Sequence, residues 1–126
     1  MRKQYHLRPS GNKFNAWDVD RLIEMTKDFD VIEVDVLELL ERNKFHWYQG
    51  DNLPTVKSIF DHMKLVEECS LDYPIILSTE GIIMDGMHRV GKAYLQNIQT
   101  IKAVKFDYTP KPDFVNVLPD ELSYDR

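Results

Sequence analysis

Apolar and polar positions near the start of the chain predict an arm or edge strand followed by a helix. Residues 1–14 lack helical periodicity. Asn15 then stands three positions before the carboxylate of Asp18, a spacing typical of a helix N-cap. Apolar residues continue at helical intervals, so we predict a helix that begins at Ala16 and runs to about Asp28.

The next stretch predicts a strand, a short helix and an aromatic loop. Residues 30–34 form a brief apolar run, and Asp35 with Glu38 repeats the cap pattern before a helix ending near Arg42. Residues 43–52 then predict a loop that contains Phe45, Trp47 and Tyr48. Since aromatic rings act mostly through burial, we favour rings that cover the core. The alternative is that they form the wall of a ligand site.

A longer amphipathic helix is predicted over residues 54–69. Pro54 suits the first turn of a helix. The apolar positions recur at steps of three, one, three and three and belong to Val56, Ile59, Phe60, Met63 and Val66. His62 and Cys69 lie on or beside this helix, and we interpret both as packing or surface residues. One cysteine provides neither a disulfide nor metal-like spacing.

The second half predicts the centre of the fold. Residues 74–77 and 82–84 are apolar strands joined by a turn, residues 87–96 form a helix stopped by Asn97, and residues 101–106 form a third strand. The pattern indicates one α+β domain over residues 1–126, a small mixed β-sheet flanked by helices. Its core covers about 30–106, between an N-terminal helical extension (1–29) and a Pro-containing acidic tail (107–126).

Composition narrows the possible partners. The formal charge is −5, and the basic residues are scattered, whereas a nucleic-acid surface clusters them. DNA is therefore not the expected partner, while a small anionic ligand remains compatible. There is neither an apolar run of membrane length nor an apolar leader segment. We expect a cytoplasmic protein without membrane contact; its oligomeric state is not predicted.

Residues 85–89 carry the candidate chemistry. A helix that begins directly after a strand presents free N–H groups and partial positive charge, and Gly86 allows close approach of a ligand. His88 and Arg89 in the first turn would oppose the helix dipole unless an anion is bound there. Asp85 has several possible roles: helix cap, partner of Arg89, metal ligand or base. Each residue taken singly also has a structural interpretation; together they favour an anion site.

The pattern Asp85-Gly86-x-His88-Arg89, between two apolar strands and a helix, resembles the core of the ParB/sulfiredoxin superfamily. The resemblance covers about residues 30–106. It implies that Gly86, Met87, His88 and Arg89 bind nucleotide phosphates, with Asp85 and His88 as catalytic candidates. The implied cofactors are ATP, ADP or CTP with Mg²⁺, and no protein ligand to a metal is predicted.

Departures from the family limit the function. Met87 stands where sulfiredoxins carry their reactive cysteine, so sulfinic-acid reduction is not expected, and no helix-turn-helix domain follows. The remaining hypotheses are a nucleotide-dependent phosphotransferase or NTPase, a non-catalytic nucleotide-sensing or interaction module, a DNA-associated accessory or nuclease-like protein, and a purely structural motif. A catalytic base is not assigned among Glu33, Asp35, Glu38, Glu41 and Glu80.

Overall fold

The computed structural model describes residues 2–48 and 52–125. Residues 49–51 of the predicted aromatic loop lie outside the described part. In chain order the elements are β1 (Tyr5–Ser10), β2 (Lys13–Asp18), α1 (Val19–Thr26), β3 (Ile32–Asp35), α2 (Val36–Arg42), α3 (Val56–Glu68), β4 (Ile75–Leu77), β5 (Ile83–Asp85), α4 (Met87–Leu95), β6 (Thr100–Lys105), β7 (Phe114–Val117) and a 3₁₀ turn (Pro119–Glu121). None of the helices in this part of the chain has the length and apolar content that a membrane crossing requires.

The strands form two sheets, which confirms an α+β architecture. The four-stranded mixed sheet has the order β3-β6-β4-β5, in which only β4 and β6 are parallel. The three-stranded antiparallel sheet has the order β1-β2-β7, so the end of the chain pairs with its beginning. The predicted acidic tail is therefore partly a strand.

The mixed sheet is buried on both faces, which explains the uninterrupted apolar run of β4. Ile75 and Leu77 point toward the helices α2 and α4, together with Ile83 of β5. Ile76 points the other way, where Met84 and Trp17 join it beneath α1. Alternation across a sheet covered on both sides makes every position of the strand apolar. The sheet thus fixes the strand that leads into residues 85–89.

The predicted helix start at Asn15 and Ala16 is wrong. Residues 13–18 are strand β2, and α1 begins at Val19 after Asp18, whose side chain accepts the N–H of Asp20. The N-terminal extension is thus a β-hairpin followed by an eight-residue helix. The hairpin turns at Gly11, whose φ of +64° favours glycine.

The helix predicted from Pro54 exists, with two corrections. α3 begins after Thr55, which forms a reciprocal capping box with Ser58, so Pro54 lies outside the helix. Val66 is the only apolar residue of the predicted stripe that is buried; Val56, Ile59, Phe60 and Met63 remain 44–69% exposed. The helix packs through the side that carries Ser58, His62 and Val66, because that side meets α4.

Other local predictions are confirmed. Asp35 caps α2 by accepting the N–H of Glu38 at 3.0 Å. Asn97 adopts a positive φ of 58° just after α4. The N–H of Ile98 then reaches the carbonyl of Ala93 at 2.9 Å, which completes a Schellman-type stop.

Candidate functional site

Gly86 connects β5 to α4 in a conformation that only glycine adopts readily. Its φ is +106°. A Cβ placed on it would lie 2.6 Å from Ile75 Cγ2 and 2.7 Å from Arg89 Nη2. The glycine is therefore required by contacts within the chain itself. The N-cap of α4 is this glycine rather than Asp85, and it makes no side-chain capping bond.

Arg89 folds back onto the strand that precedes its helix. Its Nη2 donates to Asp85 Oδ2 at 3.1 Å and to the carbonyl of Pro74 at 3.2 Å, and both charged side chains are less than one-fifth exposed. The Nε of Arg89 is buried without a hydrogen-bond partner in the described residues. The predicted alternative in which Arg89 pairs with Asp85 is confirmed. This pair ties α4 to the ends of β4 and β5.

His88 belongs to a stack of rings between α3, α4 and the aromatic segment. Its Nε2 lies 2.9 Å from His62 Nδ1, so one ring donates to the other. Trp47 lies parallel to His62 with centroids 3.7 Å apart, and 5.0 Å from the His88 ring. Trp47 also packs against the main core cluster. It thus combines the covering role that we favoured for the aromatic segment with a position at the site.

Burial, followed by the neighbouring His62, His46 and Arg89, lowers the pKa of His88 to about 4. Burial also lowers the pKa of His62. His88 is therefore neutral near pH 7 and does not oppose the dipole of α4 with a positive charge. One of the two positive charges that the sequence placed at this helix end is therefore absent.

His62 is the residue that sequence reasoning missed. We interpreted it as packing or surface, yet it holds His88 and stacks on Trp47. The available signal was its spacing from Ser58 and Val66, at i, i+4 and i+8, which marks a second face of α3. The larger apolar residues of that helix obscured this face.

A cleft of about 1420 Å³ opens beside the motif. Its walls are β1 with the residues before it, the segment 41–48, and residues 84–88. Met87 reaches the cleft only in part, because its side chain belongs to the core. The aromatic lining consists of Tyr5, Phe45, Trp47, Tyr48 and Tyr124, and the cationic lining of Arg2, Lys3, Arg8, Arg42 and Lys44.

The N-terminus of α4 faces this cleft. The N–H groups of Arg89 and Val90 both donate to the carbonyl of Gly86, at 3.0 and 3.2 Å. The N–H groups of Met87 and His88 come earlier and have no acceptor one turn back in the helix. Because Gly86 has no side chain to cap them, they form the positive end of a nine-residue helix beside a lined cavity.

Most cleft cations already have carboxylate neighbours. Lys3 Nζ lies 2.8 Å from Asp18, Arg8 Nη1 lies 3.2 Å from Glu80, and Lys44 Nζ lies 2.9 Å from Glu41. Arg8 is further oriented by His6, whose Nε2 accepts its Nε–H at 3.1 Å. The Nη2 of Arg8 is buried without a hydrogen-bond partner among the described residues.

Of the five carboxylates considered as bases, only Glu41 lines the large cleft. Glu33, Asp35, Glu38 and Glu80 surround a separate cavity of about 520 Å³ on the far side of Arg42. Asp35 is already a helix cap and Glu80 a partner of Arg8. Residues 2–48 and 52–125 contain no group of three His, Cys, Asp or Glu side chains arranged to hold a metal ion.

Comparison with known proteins gives no match: no family model, no curated protein and no solved structure resembles the chain. The family resemblance of residues 85–89 therefore stays a prediction.

Proposed function

We propose that this protein binds a nucleotide, with the phosphates at the N-terminus of α4 and the base among the aromatic residues of the cleft. The observation that carries the proposal is the position of this uncapped helix end, on a cavity lined by five cations and five aromatic rings. Oriented N–H groups and a helix dipole bind phosphate, and aromatic rings stack on bases. ATP, ADP and CTP are the candidates that the ParB/sulfiredoxin resemblance implies.

The contacts within the motif divide its residues into two roles. The N–H groups of Met87 and His88 are the proposed phosphate donors. Arg89 and Asp85 hold each other, and in this arrangement they shape the site by fixing the start of α4. Arg42 and Lys44, in the segment 41–48, line the same cleft and would add positive charge near the phosphates.

Mg²⁺ would enter with the phosphates. This ion keeps several waters and needs only one or two carboxylates in addition to phosphate oxygens. Asp85 and Glu41 are the carboxylates that line the cleft. Both are engaged by a cation, so the residues fit a phosphate-borne ion better than a protein-held one. Bound there, the ion would neutralise phosphate charge.

Turnover requires a catalytic base in addition to a bound nucleotide. Phosphoryl transfer to a hydroxyl compound, or hydrolysis, needs a base within hydrogen-bond reach of the attacking oxygen. His88 is the candidate, but its Nε2 is engaged with His62, and Asp85 is engaged with Arg89. These contacts favour the second candidate function, a nucleotide-sensing module without turnover. No observation in the described residues favours a DNA-associated role.

The test is thermal unfolding with ATP, ADP, CTP or inorganic phosphate, each with Mg²⁺. A ligand at about a hundredfold over its Kd stabilises the protein by roughly 2.7 kcal/mol. We expect one nucleotide to raise the Tm, and the variant Lys44→Ala to weaken that shift. Lys64→Ala removes an exposed cation from α3, outside the cleft, and is the matched control.

Two results would contradict the proposal: no Tm shift with any of the four ligands, or an equal loss in Lys44→Ala and Lys64→Ala. Phosphate release and nucleotide loss, followed in the same samples, separate the two candidate functions. Turnover that disappears in His88→Ala supports the enzyme. Binding without turnover supports the sensing module.

A further inference from the structure

Strand β1 ends the antiparallel sheet and leaves one backbone edge outside it. The sheet order β1-β2-β7 places β2 on the inner side only. The N–H of Val19 donates to the carbonyl of Gln4 at 3.1 Å, so Gln4 and every second residue after it bond inward. Tyr5, Leu7 and Pro9 therefore present their backbone groups outward.

Two features of the chain agree with this alternation. The N–H of Lys3, also at an outward position, donates to the carbonyl of Tyr124 at 3.1 Å. A backbone carbonyl of the C-terminal segment thus already docks on the first position of this edge. Pro9, which lacks an N–H, also stands at an outward position, where a strand tolerates proline. Between them lie Tyr5 and Leu7, whose outward N–H and carbonyl groups have no backbone partner among the described residues.

The outward edge of β1 faces the large cleft. Every residue from Arg2 to Pro9 lines that cleft. An unbroken run of lining residues is expected when the backbone edge faces the cavity, because a strand presents only alternate side chains to either face. Across the cleft stand Ile82, Met84 and Asp85, on or beside β5, the end strand of the mixed sheet.

The lining of the cleft, unlike the whole chain, is net positive, because its five cations outnumber the two carboxylates Glu41 and Asp85. Residues 2–9 contain Arg2, Lys3, Arg8 and no acidic residue, whereas the chain carries −5. Asp18 and Asp20 contact Lys3 from the inner side, and Glu80 contacts Arg8. Two copies of β1 side by side would bring these cations together, so the edge disfavours self-pairing and favours an acidic strand.

We propose that the cleft accepts an extended acidic peptide, which adds as a strand to the outer edge of β1. Its backbone pairs with Tyr5 and Leu7, and its carboxylates face the cations of residues 2–9 and, in the segment 41–48, Arg42 and Lys44. The peptide's backbone pairs with β1 rather than with α4, so this proposal does not rest on nucleotide binding, although both ligands would enter the same cleft of about 1420 Å³.

The probe is a fluorescein-labelled peptide of alternating Glu and Val. Its binding to the full chain is measured by fluorescence anisotropy. Its controls are the Lys-Val peptide and a Glu-Val peptide N-methylated at every residue, which retains charge but loses the backbone donors of both edges. We expect the Glu-Val peptide alone to bind, with an affinity that falls as salt rises. Binding of the Lys-Val or the N-methylated peptide with equal affinity would overturn the inference.

The variant that tests the edge is Leu7→Pro, with Leu7→Ala as its control. Leu7→Pro removes one outward N–H and leaves the inward ladder intact, while Leu7→Ala shortens the side chain and keeps the N–H. Thermal unfolding without ligand checks that both variants fold. We expect Leu7→Pro to lower the affinity for the peptide about tenfold more than Leu7→Ala does. Equal affinities of Leu7→Pro and Leu7→Ala for the peptide would refute strand addition. Binding of nucleotide, measured separately, tests the proposed nucleotide site.

Discussion

Removing the guanidinium of Arg89 should destabilise the protein even without a ligand. The variant Arg89→Ala leaves Asp85, which is 18% exposed, without its partner and frees the carbonyl of Pro74. Breaking a fully buried ion pair costs about 3–5 kcal/mol, and an exposed pair contributes at most about 1 kcal/mol. At this intermediate burial we expect a loss of about 2–3 kcal/mol.

Urea and thermal unfolding measure this loss directly. With about 2.1 cal/mol/K per residue, a chain of 126 residues changes its Tm by roughly 4 °C for each kcal/mol, so the expected drop is about 8–12 °C. In a double-mutant cycle with Asp85→Ala, the coupling free energy should be about 1–2 kcal/mol. Lys57→Ala breaks a far more exposed pair with Asp61 and should change stability by less than about 0.5 kcal/mol.

An Arg89→Ala variant as stable as Lys57→Ala would contradict this expectation. Arg89 would then be unimportant for the fold, and a loss of nucleotide binding in that stable variant would make it a ligand residue instead. A large destabilisation together with retained nucleotide binding would assign Arg89 to the scaffold of the site. The two measurements therefore separate its roles.

Three further predictions concern the surroundings of the motif. Gly86→Ala forces a Cβ to within 2.6 Å of Ile75 and into a positive φ, so urea unfolding should show a loss of about 2–4 kcal/mol, and an unchanged midpoint would contradict it. Asn43 is buried and accepts the N–H of Ile83 at 3.0 Å; Asn43→Ala should cost about 1–3 kcal/mol by the same assay, whereas the exposed Gln99→Ala should be nearly neutral. Because the pKa of His88 is lowered to about 4 and that of His6 to about 3, the unfolded chain binds more protons below about pH 6.5, so stability should fall from there toward pH 4. His88→Gln should flatten that pH dependence, and an unchanged slope would refute the assignment.

Local rules predicted the centre of the chain well because its signals are short-range. Asp35 and Glu38 act within one helical turn, and Asn97 ends α4 through its own backbone. The N-terminal error arose from two competing local signals. Asn15 and Asp18 imitate a helix cap, while Gly11-Asn12 supports a two-residue hairpin turn. Pairing with β7, a hundred residues away, favours the hairpin.

The amphipathic pattern of α3 shows the limit of periodicity. Val56, Ile59, Phe60 and Met63 make a strong apolar stripe, yet they are exposed. The helix packs through Val66, which approaches Gly91 of α4 closely enough that a Cβ there would lie 3.2 Å away. Periodicity identifies the faces of a helix, whereas the shape of its neighbour decides which face is buried.

Only the part of the candidate site that lies within one segment could be predicted from the sequence. Residues 85–89 form a strand–glycine–helix junction that is visible in the sequence. The cleft needs β1 and the segment 41–48 as well, and no local rule brings these three parts together. His88 shows the consequence most clearly. Its neighbours in sequence made it a cation at a helix end, but Trp47 and His62, both distant in the chain, make it a half-buried neutral ring. A positive charge assigned from sequence neighbours is thus lost once the fold supplies burial. An anion at this helix would therefore be held by the backbone N–H groups and by cations from other segments.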